Sequence, residues 1–150
     1  MALPDGLRVG GLVRCGPCFQ LWDGSATKIA QLELLQELMA LLTFPEHFKE
    51  QTGVYYIDNL AAMYALCKGR SESPELDKMA GMVHAILFSL RCTMYWEWVE
   101  SRANWADEIS RHGHHDKFHR REGFRVHDVS VPLFLWKLPW RAFLNFTEYL

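Results

Sequence analysis

The acidic residue best placed to do chemistry is Asp58. It follows a short apolar run, Val-Tyr-Tyr-Ile, and precedes apolar residues at helical spacing, so residues 53–65 predict a strand, a carboxylate and a helix in that order. A strand that is apolar on both faces is typical of the middle of a helix-covered sheet, and ligands collect beyond the carboxyl ends of such strands. Asp58 is therefore a candidate site residue; the alternative is that it only caps the helix.

Two more carboxylates lie one turn apart in residues 27–44, the most strongly predicted helix of the chain. Leucines and a methionine at heptad and neighbouring positions form a wide apolar stripe, and Glu33 and Glu37 share the remaining narrow line. We interpret Glu37 as solvated. Glu33 stands between Leu32 and Leu34, closer to the apolar side, and is the better candidate for a site carboxylate. Pro45 is predicted to end the helix.

A further candidate carboxylate, Asp107, follows a second predicted strand. Residues 93–99 alternate Met94, Trp96 and Trp98 with residues of another character, which predicts a strand with two unlike faces. Asn104 is a good N-cap for the next helix and places Asp107 in its first turn, where the helix dipole alone would explain an acidic residue. A functional role for Asp107 requires that it converge on Asp58 and Glu33.

A long helix is predicted between these strands. Residues 73–91 begin with Ser-Pro-Glu, which puts Pro74 at the first helical position, and continue with an apolar stripe that includes Met79 and Met82. Methionine fills irregular gaps in protein interiors, so we assign this stripe to the core.

Residues 15–18, Cys-Gly-Pro-Cys, match the thioredoxin-type redox motif, in which a helix N-terminus lowers the pKa of the first thiol. Here residues 10–22 predict a hairpin that ends at Asp-Gly, so no helix would support a thiolate. We favour a tight turn that happens to hold Cys15 and Cys18. A thiol oxidoreductase is the alternative.

The last part of the chain changes composition. Residues 112–128 are a basic, His-rich linker that lacks cysteine or carboxylate partners at zinc-ligand spacing, and they predict either a segment that contacts phosphates or a solvated linker. Residues 129–150 are rich in tryptophan and phenylalanine and are interrupted by two prolines. So much aromatic area predicts a tail that packs on the domain or on a partner.

The bulk composition narrows the class of protein. A chain of 150 residues that is 49% apolar and 23% charged predicts one globular domain with a real core. The net charge of −2 argues against a positive electrostatic potential over the whole protein that would attract nucleic acid. Four scattered cysteines argue against a disulfide framework. The first residues lack a signal peptide, and no apolar run approaches the roughly 20 residues of a membrane helix. We therefore expect an intracellular protein with no membrane partner.

Three motifs occur in a fixed order. They are Leu-Glu-Leu at 32–34, Ile-Asp-Asn at 57–59 with two alanines following, and Trp-Val-Glu-Ser at 98–101, which leads into Asn-Trp-Ala-Asp at 104–107 and Ser-Arg at 110–111. In order and spacing they resemble the ribonuclease H domains of retroelement reverse transcriptases, and the last motif is most similar to those of tyrosine-recombinase retrotransposons. The resemblance implies an α/β fold for residues 1–111, a ribonuclease H-like mixed sheet flanked by helices.

The resemblance also implies an activity, which is two-metal hydrolysis of the RNA strand in an RNA–DNA hybrid. Such a site holds two Mg²⁺ or Mn²⁺ ions on hard oxygen ligands. On this chain the implied metal ligands and catalytic residues are Glu33, Asp58 and Asp107. The implied nucleic-acid contacts are Asn59, Arg102, Asn104 and Arg111. An upstream polymerase module is an implied partner in the parent element.

The chain departs from the family at its start. The family's first strand ends in an indispensable aspartate and pairs with the strand that corresponds to residues 54–57, but here Met1 falls where that aspartate belongs. A thioether cannot replace a hard anionic ligand, and Asp5 lies in a turn at the wrong spacing. We therefore expect a domain that lacks most or all of the first strand and has weak or lost nuclease activity. The alternative is a non-catalytic module that binds nucleic acid or protein.

Overall fold

The computed structural model describes residues 29–104 and 117–123. The elements in chain order are helices α1 (Ile29–Thr43) and α2 (Pro45–Phe48), strand β1 (Thr52–Ile57), helices α3 (Leu60–Lys68) and α4 (Pro74–Ser89), strand β2 (Thr93–Trp98), a 3₁₀ turn (Ser101–Ala103) and helix α5 (Lys117–Glu122). The predicted hairpin at residues 10–22, the residues from 105 to 116, which include Asp107 and Arg111, and the aromatic tail at residues 129–150 lie outside the described residues.

Strands β1 and β2 form a parallel pair, the two-stranded sheet of the described residues. The register runs from Thr52 opposite Thr93 to Ile57 opposite Trp98. A parallel pair needs a crossover connection, which α3 and α4 supply, so the described part is a mixed helix and strand architecture of the α/β kind. Because both strands run the same way, Asp58 and the residues that follow β2 leave the sheet at the same edge.

The core lies between the helices and one face of the sheet. Helix α1 packs on α4, and α3 contacts both of them and the strands. The side chains with almost no solvent exposure are Leu34, Leu35, Leu38, Leu41, Phe48, Ile57, Leu66, Met79, Met82, Ile86 and Leu90. The assignment of the methionine stripe to the core is confirmed.

The sheet differs from the prediction in one respect. Tyr55 and Ile57 of β1 and Met94 of β2 are buried on the helix-covered face, but on the opposite face Tyr56 is 47% exposed and Tyr95 is 58% exposed. The prediction that residues 54–57 are buried on both faces is therefore wrong for Tyr56. The prediction of two unlike faces for β2 is confirmed.

Caps define where the central helices begin and end. The Asn59 Oδ1 atom accepts a hydrogen bond from the Ala62 N–H (3.1 Å), so Asn59 is the N-cap of α3 and the alternative role of Asp58 as the cap is wrong. The Ser73 Oγ atom accepts from the Leu76 N–H (3.5 Å) at the start of α4. Gly69 ends α3 in the left-handed region, at φ +65°.

Within the predicted basic linker, residues 117–122 form helix α5, so part of that segment is regular structure. The Arg121 Nε atom and the Glu122 Oε1 atom form an ion pair at 2.8 Å on its surface. No helix in residues 29–104 and 117–123 combines the length and the hydrophobicity that crossing a membrane requires.

Candidate active site at the carboxyl edge of the sheet

Four of the predicted site residues lie at or beyond the carboxyl ends of the two strands. Asp58 and Asn59 follow β1, while Arg102 and Asn104 follow β2 on the 3₁₀ turn that begins at Ser101. The two ends are joined, because the Val99 N–H donates to the Ile57 carbonyl oxygen at 3.0 Å. Arg102 is exposed, and Asn104 and Asp58 are half-buried. This edge is where α/β sheets collect their ligands.

Glu33 and Asp58 both act electrostatically on one buried side chain, Tyr55. The pKa of Tyr55 is raised well above its usual value of 10.0, first by burial and then by the negative charges of Glu37, Glu33 and Asp58. Such an effect requires that these carboxylates lie near the phenol. Glu33 of helix α1 and Asp58 at the strand end are thus each within electrostatic range of Tyr55, although they are far apart in sequence.

Carboxylate oxygens are the ligands that Mg²⁺ and Mn²⁺ prefer, so the donor set of Glu33 and Asp58 fits such an ion. Within the described ranges no group of three or more His, Cys, Asp or Glu side chains is arranged to hold a metal ion. Asp107 and Arg111 lie outside those ranges. The assembly of Glu33, Asp58 and Asp107 thus stays a prediction.

Glu37 is not solvated, which corrects the interpretation from the sequence. It is 0% exposed, and both of its carboxyl oxygens accept from the Trp96 indole N–H, Oε1 at 2.9 Å and Oε2 at 3.1 Å. Burial raises the pKa of Glu37 from 4.5 to about 8, although the hydrogen bond from Trp96 opposes the shift. At neutral pH Glu37 is therefore mostly a neutral acid, because a charge at this depth lacks solvation.

Trp96 is held from two further sides. In the register of the sheet it is the partner of Tyr55, so the two side chains lie next to each other on the covered face. Its ring also packs on the His84 ring, with centroids 5.2 Å apart. The His84 Nε2 atom donates to the Leu66 carbonyl oxygen at 2.7 Å, which ties α4 to the last turn of α3. We call Glu37, Tyr55, Trp96 and His84 the Trp96 cluster; Glu37 and Tyr55 are buried, and Trp96 and His84 are half-buried.

Cys92 also lies near this cluster. Burial, and then the charge of Glu37, raises the pKa of Cys92 to about 11, so its thiol is unreactive at neutral pH. Cys67 is exposed on α3. Cys15 and Cys18, which carry the alternative redox hypothesis, fall outside the described residues.

The burial of Glu37 could have been predicted from the leucines near it on the helix. Leu34 and Leu41 stand three residues before it and four residues after it, and both are completely buried. Residues at these spacings share a helix face, so Glu37 belongs to the margin of the buried stripe rather than to the opposite line. Its partner Trp96, which is 59 residues later, gave no local signal.

Comparison of the chain with protein-family models, with curated proteins and with solved structures gave no match. The interpretation of the site therefore depends on its own residues and geometry.

Proposed function

We propose that the chain is a ribonuclease H-like domain derived from a retroelement, in which Glu33 and Asp58 bind divalent cations for hydrolysis of the RNA strand of an RNA–DNA hybrid. The observation that carries the proposal is that Asp58 and the 3₁₀ turn follow the carboxyl ends of a parallel strand pair, where the Val99 N–H bonds the Ile57 carbonyl oxygen. Glu33 and Asp58 are also within electrostatic range of Tyr55 in the same strand pair. The order of elements from α1 to β2 supports it as well. Asp107, from the segment after β2, completes the proposed ligand set.

The residues have separate roles in this proposal. Bound Mg²⁺ or Mn²⁺ would activate the attacking water and stabilise the leaving oxygen. Glu33 lies on helix α1, which packs on the core, and Asp58 directly follows strand β1. Both carboxylates are therefore attached to rigid elements, which suits a site that needs fixed geometry. Carboxylates that lie close together repel one another, so a cation held by Glu33 and Asp58 would relieve that repulsion.

Polar groups at the same edge would hold the nucleic acid. Arg102 is exposed on the 3₁₀ turn and can pair with a phosphate. The Asn59 Oδ1 atom is used as the cap of α3, which leaves its amide nitrogen to donate to the ligand. Asn104 and Arg111 are the other proposed contacts.

Replacement of Asp58 by Asn should abolish any cleavage that the chain performs. The change keeps the size of the side chain but removes an anionic ligand, so we expect cleavage of a labelled RNA–DNA hybrid in Mn²⁺ to fall by at least about a hundredfold. Asp77→Asn is the matched control, because Asp77 lies at the start of α4 and its Oδ1 atom accepts from the Ser71 N–H, a bond that an amide oxygen preserves. Robust cleavage by Asp58→Asn would remove Asp58 from the site.

A second function, binding without catalysis, is favoured by the exposed basic residues Arg102, Lys117 and Arg120. In that case hybrid binding weakens steeply with salt, because phosphate contacts release counterions. It is also insensitive to divalent metal and to Glu33→Gln. Binding that requires Mn²⁺ and is lost in Glu33→Gln favours the metal-dependent site instead.

A further inference from the structure

Glu37 is a buried acid for which the proposed reaction has no use. Its carboxyl group connects α1 directly to β2, because both oxygens accept from the Trp96 indole N–H at 2.9 and 3.1 Å. Helix α1 also makes apolar packing contacts, above all with α4. Apolar packing is non-directional, whereas a hydrogen bond from an indole restricts both distance and direction.

The position of the Trp96 indole, which donates this bond, is fixed by its own contacts. It lies in the sheet next to Tyr55, and its ring packs on His84, which is itself bonded to the Leu66 carbonyl oxygen. The indole therefore has contacts with a neighbouring strand and with α4, while His84 connects α4 to α3. The bond from Trp96 to Glu37 therefore fixes the orientation of α1 relative to the strands on the helix-covered face of the sheet.

Glu33 lies one turn before Glu37 on the same line of α1. The side chains of a helix stand about 5–6 Å from its axis, so a rotation of α1 by about 20° moves the Glu33 side chain by about 2 Å. Metal ligands must keep their distances to within about 0.2 Å. Whatever fixes the rotation of α1 therefore decides whether Glu33 can share an ion with Asp58.

We propose that Glu37 is a positioning residue for the candidate site, whose hydrogen bond to Trp96 sets the rotation of α1 and so places Glu33 opposite Asp58. This inference rests on the proposed function, because it assigns Glu33 and Asp58 to one metal site. It explains why an acid occupies a completely buried position, where a leucine would pack at lower cost in desolvation.

The test separates positioning from stability with two substitutions of Glu37. Glu37→Gln keeps an oxygen that accepts from Trp96, whereas Glu37→Leu fills the space with an apolar side chain and removes the bond. Mn²⁺ affinity is measured by electron paramagnetic resonance on the full chain, and stability is measured by urea unfolding. We expect Glu37→Gln to bind Mn²⁺ within about threefold of the original chain and Glu37→Leu to bind about 10–100-fold more weakly while it remains folded. Leu76→Ala, in a buried position at the start of α4, is the control that loses stability without losing the bond.

A purely structural role predicts that Mn²⁺ affinity follows stability through all three variants, and that result would overturn the inference. So would unchanged affinity in Glu37→Leu. A readout without metal keeps the inference separate from the proposed function: the backbone amide NMR signals of Glu33 and Asp58 should move in Glu37→Leu and stay in place in Glu37→Gln. If these signals behave as expected but Asp58→Asn binds Mn²⁺ normally, the metal site fails and the alignment of α1 by Glu37 stands. If the signals are the same in both variants, the alignment itself fails.

Discussion

The stability of the protein is expected to fall steadily as the pH rises from about 5 to about 8, because of Glu37. Its pKa is 4.5 in the unfolded chain and about 8 in the folded protein, where burial disfavours the charge. Between these values the folded state binds more protons than the unfolded state, so the free energy of unfolding decreases with pH. The stabilisation is complete below pH 4.5 and is lost by the time the pH passes about 8.

The expected slope is at most about 1.4 kcal/mol for each pH unit, and the whole effect is on the order of 5 kcal/mol. Tyr55 and Cys92 also have raised pKa values, but they titrate from about 9 upwards and do not contribute in this window. Urea unfolding at a series of pH values measures the slope. Glu37→Gln, which cannot ionise, is the control and should remove it. An unchanged slope in Glu37→Gln would mean that Glu37 is charged in the folded protein.

Phe48→Ala should be among the most destabilising single substitutions in the described part of the chain. Phe48 is 0% exposed and ends the short helix α2, where the Gln51 N–H donates to its carbonyl oxygen at the entrance to β1. Removal of its ring leaves a cavity in the core, and we expect a loss of about 3–5 kcal/mol in the free energy of unfolding.

Phe88→Ala is the matched control for this loss. It makes the same chemical change at a side chain that is 86% exposed on α4, so we expect a change within about 0.5 kcal/mol. Chemical denaturation of both variants beside the original chain gives the comparison. Similar losses in the two variants would show that the ring of Phe48 is not packed as described.

The regular elements were largely predictable because their signals are local. The helix predicted at residues 27–44 spans Ile29–Thr43, and the strand predicted at residues 93–99 spans Thr93–Trp98. The helix predicted at residues 73–91 spans Pro74–Ser89, with Ser73 as its cap. Apolar periodicity and capping residues determine such boundaries within a few neighbouring residues, so no tertiary information was needed.

The features that the sequence did not reveal depend on contacts between distant residues. The burial of Glu37 depends on Trp96, and the exposure of Tyr56 depends on which face of the sheet the helices cover. The choice of Asn59 over Asp58 as the cap is a local exception, because it depends on where the first helical turn starts. For the site, Glu33 and Asp58 were chosen from the sequence and are within electrostatic range of the Tyr55 phenol, while Asp107 is a prediction beyond the described residues.

Crystals of the chain soaked in Mn²⁺ would test the metal site most directly, because anomalous scattering locates the ion without reference to activity. We expect an anomalous peak with carboxylate oxygens of both Glu33 and Asp58 at about 2 Å. A Mn²⁺ ion bound elsewhere, or Glu33 and Asp58 carboxyl groups that point apart with no ion between them, would contradict it.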